Sequence, residues 1–127
     1  MRYSEEYDET IPDTSLSQFV LERIEQFGTN VACINSETKQ SLTYNDIVRL
    51  CKQFACGLKR KCNVQPYQTV AIVLPSSLEY AVITLAVNAL GATATLVNPS
   101  HTIGKVIIFF KHVVCHCCYL RYTLFDL

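Results

Sequence analysis

Residues 69–102 read TVAIVLPSSLEYAVITLAVNALGATATLVNPSHT, and the reading of this stretch decides the fold. Residues 69–74 form a short β-branched run that Pro75 ends. Ser76, followed three residues later by Glu79, is a capping-box pattern that starts a helix. Gly91 stands where that helix should stop, because glycine takes the left-handed conformation of a helix end without a Cβ clash. Residues 92–97 repeat the buried-strand pattern, and Asn98-Pro99 closes it. Two apolar strands joined by a helix predict a βαβ unit over residues 69–97, with parallel strands and a right-handed crossover. The fold class that follows is α/β.

The helix inside this unit is apolar almost all round. Residues 78–90 leave only Glu79, Thr84 and Asn88 as polar positions. Such a helix is buried on nearly every side. The other helices of the chain read as amphipathic, and one short sheet covers one face. The expectation is therefore that a surface from outside the chain covers the rest of this helix, which is the mark of a fragment.

Upstream, Ser15-x-x-Gln18 is a second capping-box pattern. Leu16, Phe19, Val20, Arg23, Ile24 and Phe27 follow at helical spacing, and Gly28 ends the segment. Residues 31–34 read as a strand, 35–40 as a polar turn and 41–43 as a returning strand, which predicts a hairpin. Thr43 and Asp46 then frame the start of another helix. Ile47, Cys51, Phe54, Ala55 and Leu58 supply its apolar face, with Arg49, Lys52, Gln53, Lys59 and Arg60 mainly away from it. Asn63 is placed to take the left-handed position that ends the helix. Downstream of Pro99, Ser100 or Thr102 caps an expected helix through residues 103–111.

Composition narrows the function classes. The chain has 127 residues, enough for one domain with a core, and half of them are apolar. Formal net charge is zero, without the basic excess of a nucleic-acid binder. Residues 1–13 carry Glu5, Glu6, Asp8, Glu9 and Asp13 against Arg2 alone, the pattern of a solvated, disordered acidic leader. No basic n-region precedes an apolar run, so a secretory signal is not expected. Seven cysteines, an odd number without such a signal, read as reduced thiols of a cytoplasmic protein. Residues 80–97 are long enough to raise a membrane span, but Asn88, Gly91 and the threonines at 84, 93 and 95 interrupt them.

Several local patterns suggest chemistry, and each has a plainer explanation. His112, Cys115, His116, Cys117 and Cys118 are metal-ligand types. Five candidates packed so closely do not form the two separated pairs of a structural zinc site. Cys51, Cys56 and Cys62 are spaced by five and six, so they do not share a helix face. Lys59-Arg60-Lys61 sits at a helix C-terminus, where the macrodipole favours cations. His101 has no carboxylate at a recognisable spacing to make it a general base. Ser76-Ser77 lacks the flanking glycines of a nucleophile elbow, since Leu74 and Leu78 occupy those places. No G-x-G-x-x-G follows Leu74, which argues against a dinucleotide site.

The ordered series is more specific than any of its pieces. Ser41-Leu42-Thr43-Tyr44, the helix through Gly57-Leu58, Val70-Ala71-Ile72, Leu74-Pro75-Ser76-Ser77-x-Glu79, Leu90-Gly91-Ala92 and Val97-Asn98-Pro99-x-x-Thr102 follow one another at characteristic spacings. Residues 15–110 thereby resemble the N-terminal part of adenylate-forming acyl-CoA synthetases, in the 4-coumarate–CoA ligase and luciferase-like branch. The resemblance implies a partial N-terminal domain of the adenylate-forming enzyme fold over 14–111, flanked by the leader and by an unassigned Cys/His-rich tail at 112–127. Where the family has Gly-Asp, this chain has Tyr67-Gln68, which weakens a turn but spares the strand.

The resemblance also implies an activity for full-length relatives. These activate a carboxylic acid with ATP and magnesium and pass the acyl group to coenzyme A. Their phosphate loop, metal-site Thr-Glu pair, ribose aspartate and mobile-domain lysine all lie downstream of the matched segment. Glycines occur here only at 28, 57, 91 and 104, too far apart to build a phosphate loop. No catalytic, cofactor-binding or metal residue is therefore assigned. The expectation is a truncated relative, inactive alone; the alternative is an interaction module using helix 78–90 or the Cys/His tail. The final Phe125-Asp126-Leu127 is not a Ser-Lys-Leu peroxisomal address.

Overall fold

A computed structural model describes residues 12–75, 77–100 and 104. The leader before residue 12, Ser76, His101 and the Cys/His cluster at 112–118 lie outside these residues. So does all but Gly104 of the helix expected over 103–111.

The first helix, α1 (Leu16–Ile24), continues into a 3-10 turn at Glu25–Phe27. The Ser15 hydroxyl accepts the Gln18 amide at 3.2 Å, but Gln18 spends its own side chain on Glu22, so half of the expected box forms. The buried side of α1 also differs from the periodicity. Leu16 is 64% exposed and Phe27 is exposed, whereas Ser17 is 1% exposed and Leu21 and Ile24 pack on the core. The small Ser17 side chain lets α1 approach close to another helix, and its hydroxyl finds a partner there.

A hairpin of β1 (Val31–Ile34) and β2 (Ser41–Thr43) follows, with the expected bounds. It is antiparallel, with a bulge between Val31 and Cys33. Its turn is tied by Asn35, whose Oδ1 accepts the amides of Glu37 and Thr38 at 2.9 and 3.0 Å. This is the local role for which asparagine is favoured in turns.

The long helix α2 (Tyr44–Lys61) starts on a complete capping box. The Thr43 hydroxyl accepts the Asp46 amide at 3.1 Å, and the Asp46 carboxylate accepts the Thr43 amide at 3.1 Å. Ile47, Val48, Cys51, Phe54 and Leu58 form its buried stripe. At the other end Asn63 takes φ +53°, the left-handed position anticipated for it.

The βαβ unit has β3 (Thr69–Val73) parallel to β4 (Thr93–Val97), in register from Thr69 opposite Thr93 to Val73 opposite Val97. Between them lies α3 (Glu79–Ala89). Helix α3 begins later than the Ser76–Glu79 pattern implies. Leu78 takes the N-cap position with no side-chain cap, and Glu79 is the first helical residue. Gly91 has φ +71°, and a Cβ there would meet the Pro66 Cβ at 3.4 Å.

Helix α3 is the centre of the core. Val82, Ile83, Ala86 and Val87 are buried, together with Val70 and Ile72 of β3 and the apolar stripe of α2. Of the apolar positions in 78–90, Ala81 and Ala89 are exposed, and Leu78, Tyr80, Leu85 and Leu90 are half-buried. Packing against α1, α2 and both strands buries Val82, Ile83, Ala86 and Val87 and leaves the other large apolar side chains partly covered. Among the described residues, no helix is long and apolar enough to cross a membrane.

Candidate functional site

Parallel strands end together, and the βα turns that leave them open a crevice at their carboxyl edge. Here that crevice has a volume of about 780 Å³. Leu74, Pro75 and Ser77 border it where β3 ends, and Tyr80 and Ala81 come from the first turn of α3. Leu96 and Val97 come from the end of β4, with Asn98, Pro99 and Ser100 in the following loop. Asn98 Oδ1 accepts the Ser100 amide at 2.8 Å and holds that loop in a tight turn. The Thr84 hydroxyl donates to the Tyr80 carbonyl at 2.8 Å, within the first turns of α3.

The chemistry of this lining is narrow. Its described residues offer two hydroxyls, one amide, a phenol and aliphatic walls. No Lys, Arg, Asp, Glu or His is among the described lining residues. A nucleoside triphosphate with its divalent ion needs cations on the phosphate oxygens and carboxylates on the metal. These residues do not fit that group. Ser77, one of the two serines considered as a nucleophile, lines the crevice with no base among its described lining residues.

The remaining candidates are spread over the molecule. Cys51 is buried in the core, and burial pushes its thiol pKa up, the opposite of what activates a nucleophile. Cys56 and Cys62 are exposed on α2 and at its end. Lys59, Arg60 and Lys61 form the last turn of α2, where they complement the helix dipole. Among the described residues the one strongly shifted carboxylate is Asp46. Hydrogen bonds from the Thr43 hydroxyl and amide, then from Arg49, lower its pKa from 3.8 to about 2. That shift belongs to a helix cap and not to a reaction centre.

The crevice itself was not singled out from the sequence. A signal for it was present: a βαβ unit places its two strand ends side by side, and Asn98-Pro99 marks the loop that leaves one of them.

A layered βαβ core behind a hairpin and two flanking helices defines the class: this is the fold of the N-terminal parts of adenylate-forming enzymes. The N-terminal subdomain of Klebsiella oxytoca NpsA superposes with a TM-score of 0.75 at 21% identity, over 86% of this chain and 28% of that one. The luciferase-like enzyme of the nonluminescent mealworm Zophobas morio superposes at 0.76 and 19% identity, over 87% of this chain and 27% of that one. The chain belongs to the AMP-binding enzyme family, which matches residues 20–122. Its relatives include 4-coumarate--CoA ligase-like 1 of Arabidopsis thaliana, 32% identical over 76% of this chain and 18% of the relative. Another is 4-coumarate--CoA ligase 5 of Oryza sativa subsp. japonica, 36% identical over 75% of this chain and 18% of the relative. The chain thus spans about a fifth of the length of the curated relatives it matches.

Proposed function

We propose that this chain is the N-terminal structural piece of an acid–CoA ligase of the 4-coumarate type, and that the 127 residues alone do not catalyse ligation. The single observation that carries this reading is that the described lining of the strand-end crevice holds no charged side chain, in a chain of this family. Acid activation by ATP requires positive groups at the phosphates, and the glycines at 28, 57, 91 and 104 build no phosphate loop. Residues 14–111 carry the family segment in this proposal, with the acidic leader and Cys/His tail outside it. The odd cysteine number favours a reducing, cytoplasmic setting, and the zero net charge favours no nucleic-acid partner.

In this reading the chain supplies scaffold. Its βαβ core presents a strand-end crevice whose described lining residues carry no charge, while ATP, magnesium and coenzyme A are bound by residues that these do not include. Pyrophosphate release, assayed with ATP, coenzyme A and a panel of carboxylic acids including 4-coumarate, tests the proposal. The expected result is no turnover above a protein-free control. Turnover by the purified 127-residue chain overturns it.

A further inference from the structure

A second groove, of about 480 Å³, lies along α2. Leu50, Gln53, Phe54 and Gly57 line its length, and Arg60 and Lys61 stand at its end. All of its described lining residues belong to α2, so no described element supplies a facing wall. The rest of the fold meets α2 on other sides. The core takes Ile47, Cys51, Phe54 and Leu58, and the 3-10 turn is tied to Lys52 through Glu25 at 3.5 Å. Lys52 lies about 140–160° round the helix from Gly57 and Leu50.

Gly57 singles this face out. Glycine is the poorest helix former after proline, and inside a helix its use is close approach to the backbone. A Cβ placed at Gly57 meets no atom within 4 Å beyond the local helix backbone, among the described residues. Packing of the described chain therefore does not call for a glycine at this point.

We propose that this face pairs with the same face of a second copy of the chain. The two α2 helices run antiparallel about a twofold axis between positions 53 and 54. Self-complementarity selects that occupant. Asp46, Leu50, Gln53, Gly57 and Lys61 recur at intervals of three or four, which places them on one side of α2. Leu50 and Gly57 lie equally far from the axis, on opposite sides of it. The half-buried Leu50 of each copy therefore meets the open position at Gly57 of the other. Asp46 and Lys61 are equidistant in the same way, so a carboxylate faces an ammonium at each end.

Asp46 already holds Thr43 and Arg49, so Lys61 adds a screened contact and the Leu50–Gly57 fit carries the pairing. Gln53 is exposed and meets its own copy at the axis, where two amides can exchange hydrogen bonds. Antiparallel helices also oppose their macrodipoles. One patch satisfies both subunits, as a twofold interface requires. The facing segments are about 24 Å long. That is a small interface, so the dimer is weak, with a Kd of roughly 10–100 µM.

The test reads mass and cross-linking of the full chain and needs no ligase activity, so its failure is distinct from failure of the proposed function. Sedimentation equilibrium over a wide range of concentration is expected to show a reversible monomer–dimer equilibrium. Gly57→Leu fills the open position without a clash in the described chain and improves helix propensity. It is expected to raise the thermal midpoint and yet weaken association by about ten-fold or more. Leu50→Ala combined with Gly57→Leu exchanges the large and small positions and is expected to recover most of the association. Gln53→Lys puts two like charges at the axis and is expected to disperse the dimer; it decides the matter if Gly57→Leu does not fold. In a chain with Cys56→Ser and Cys62→Ser, Gln53→Cys is expected to give a disulfide-linked dimer under copper phenanthroline. Lys59→Cys, on another side of α2, is not. A monomer at every concentration overturns the proposal. So does association that neither Gly57→Leu nor Gln53→Lys weakens, or equal cross-linking from positions 53 and 59.

Discussion

The Ser17 hydroxyl donates a 3.0 Å hydrogen bond to the main-chain carbonyl of Leu85, joining α1 to α3 across 68 positions of sequence. Ser17 is the one buried polar side chain among the described residues, and it is satisfied. A hydrogen bond of this kind contributes about 1 kcal/mol net. Ser17→Ala is therefore expected to lower stability by roughly that amount, read as a lower urea midpoint at unchanged slope. Ser17→Leu, which restores hydrophobicity but overfills the contact, is expected to cost more, about 1–3 kcal/mol. A Leu variant as stable as the Ala variant contradicts a close helix–helix approach at this point.

Tyr67 sits 95% exposed at φ +66°, a conformation that an L-residue with a bulky side chain adopts at a cost of about 1–2 kcal/mol. The turn survives because the Tyr67 amide donates to the Gly91 carbonyl at 2.8 Å and Gln68 Oε1 accepts the Gln65 amide at 2.9 Å. Tyr67→Gly is expected to stabilise the chain by about 0.5–1 kcal/mol after glycine's own entropy cost. Thermal melts of the two proteins check this, with a higher midpoint for the glycine variant. Gly91→Ala, at φ +71° and against Pro66, is expected to move the midpoint the other way.

The capping box of α2 makes stability depend on acid. Asp46 titrates at about 2 in the folded chain, below its ordinary value of 3.8. A lowered pKa stabilises the fold fully above the unfolded value, and that contribution is lost as pH falls from about 4 through about 2. Helix loss on acidification, followed by circular dichroism, is expected to weaken in this window in Asp46→Asn relative to the parent. Thr43→Ala removes the reciprocal bond and is expected to cost about 1 kcal/mol at neutral pH.

Ile72 is fully buried in β3 and belongs to the same core cluster as Val82, Ile83 and Val87 of α3. Ile72→Val is expected to cost about 1 kcal/mol and Ile72→Ala about 2–5 kcal/mol, because the cavity collapses only in part. Denaturant titration of both variants checks the ratio. Equal losses contradict a close-packed strand–helix contact at this position.

Much of this architecture was legible locally. The bounds of the hairpin, the Thr43–Asp46 box, the Asn63 helix end and the parallel pair around α3 follow from short-range chemistry: turn residues, caps and hydrophobic period. Family membership was legible too, because it rests on an ordered series of such local signals. Tyr67 broke the local rule for a turn and the turn still formed, since hydrogen bonds to Gln65 and Gly91 outweigh the preference of one residue.

Three features were decided only when the elements packed. Periodicity put Leu16 and Phe27 on the buried side of α1, whereas close approach to α3 selected Ser17, whose hydroxyl needed the Leu85 carbonyl as a partner. Residues 78–90 looked like a helix short of neighbours. Val82, Ile83, Ala86 and Val87 are buried because α1, α2 and the strands reach it, while Leu78, Tyr80, Leu85 and Leu90 are half-buried and Ala81 and Ala89 exposed. The crevice is the third. Its walls come from two strand ends that α3 separates in sequence and the parallel register brings side by side. Local chemistry selects the elements through the chain's own neighbours, while which faces meet depends on side-chain size and long-range partners that a linear pattern does not encode.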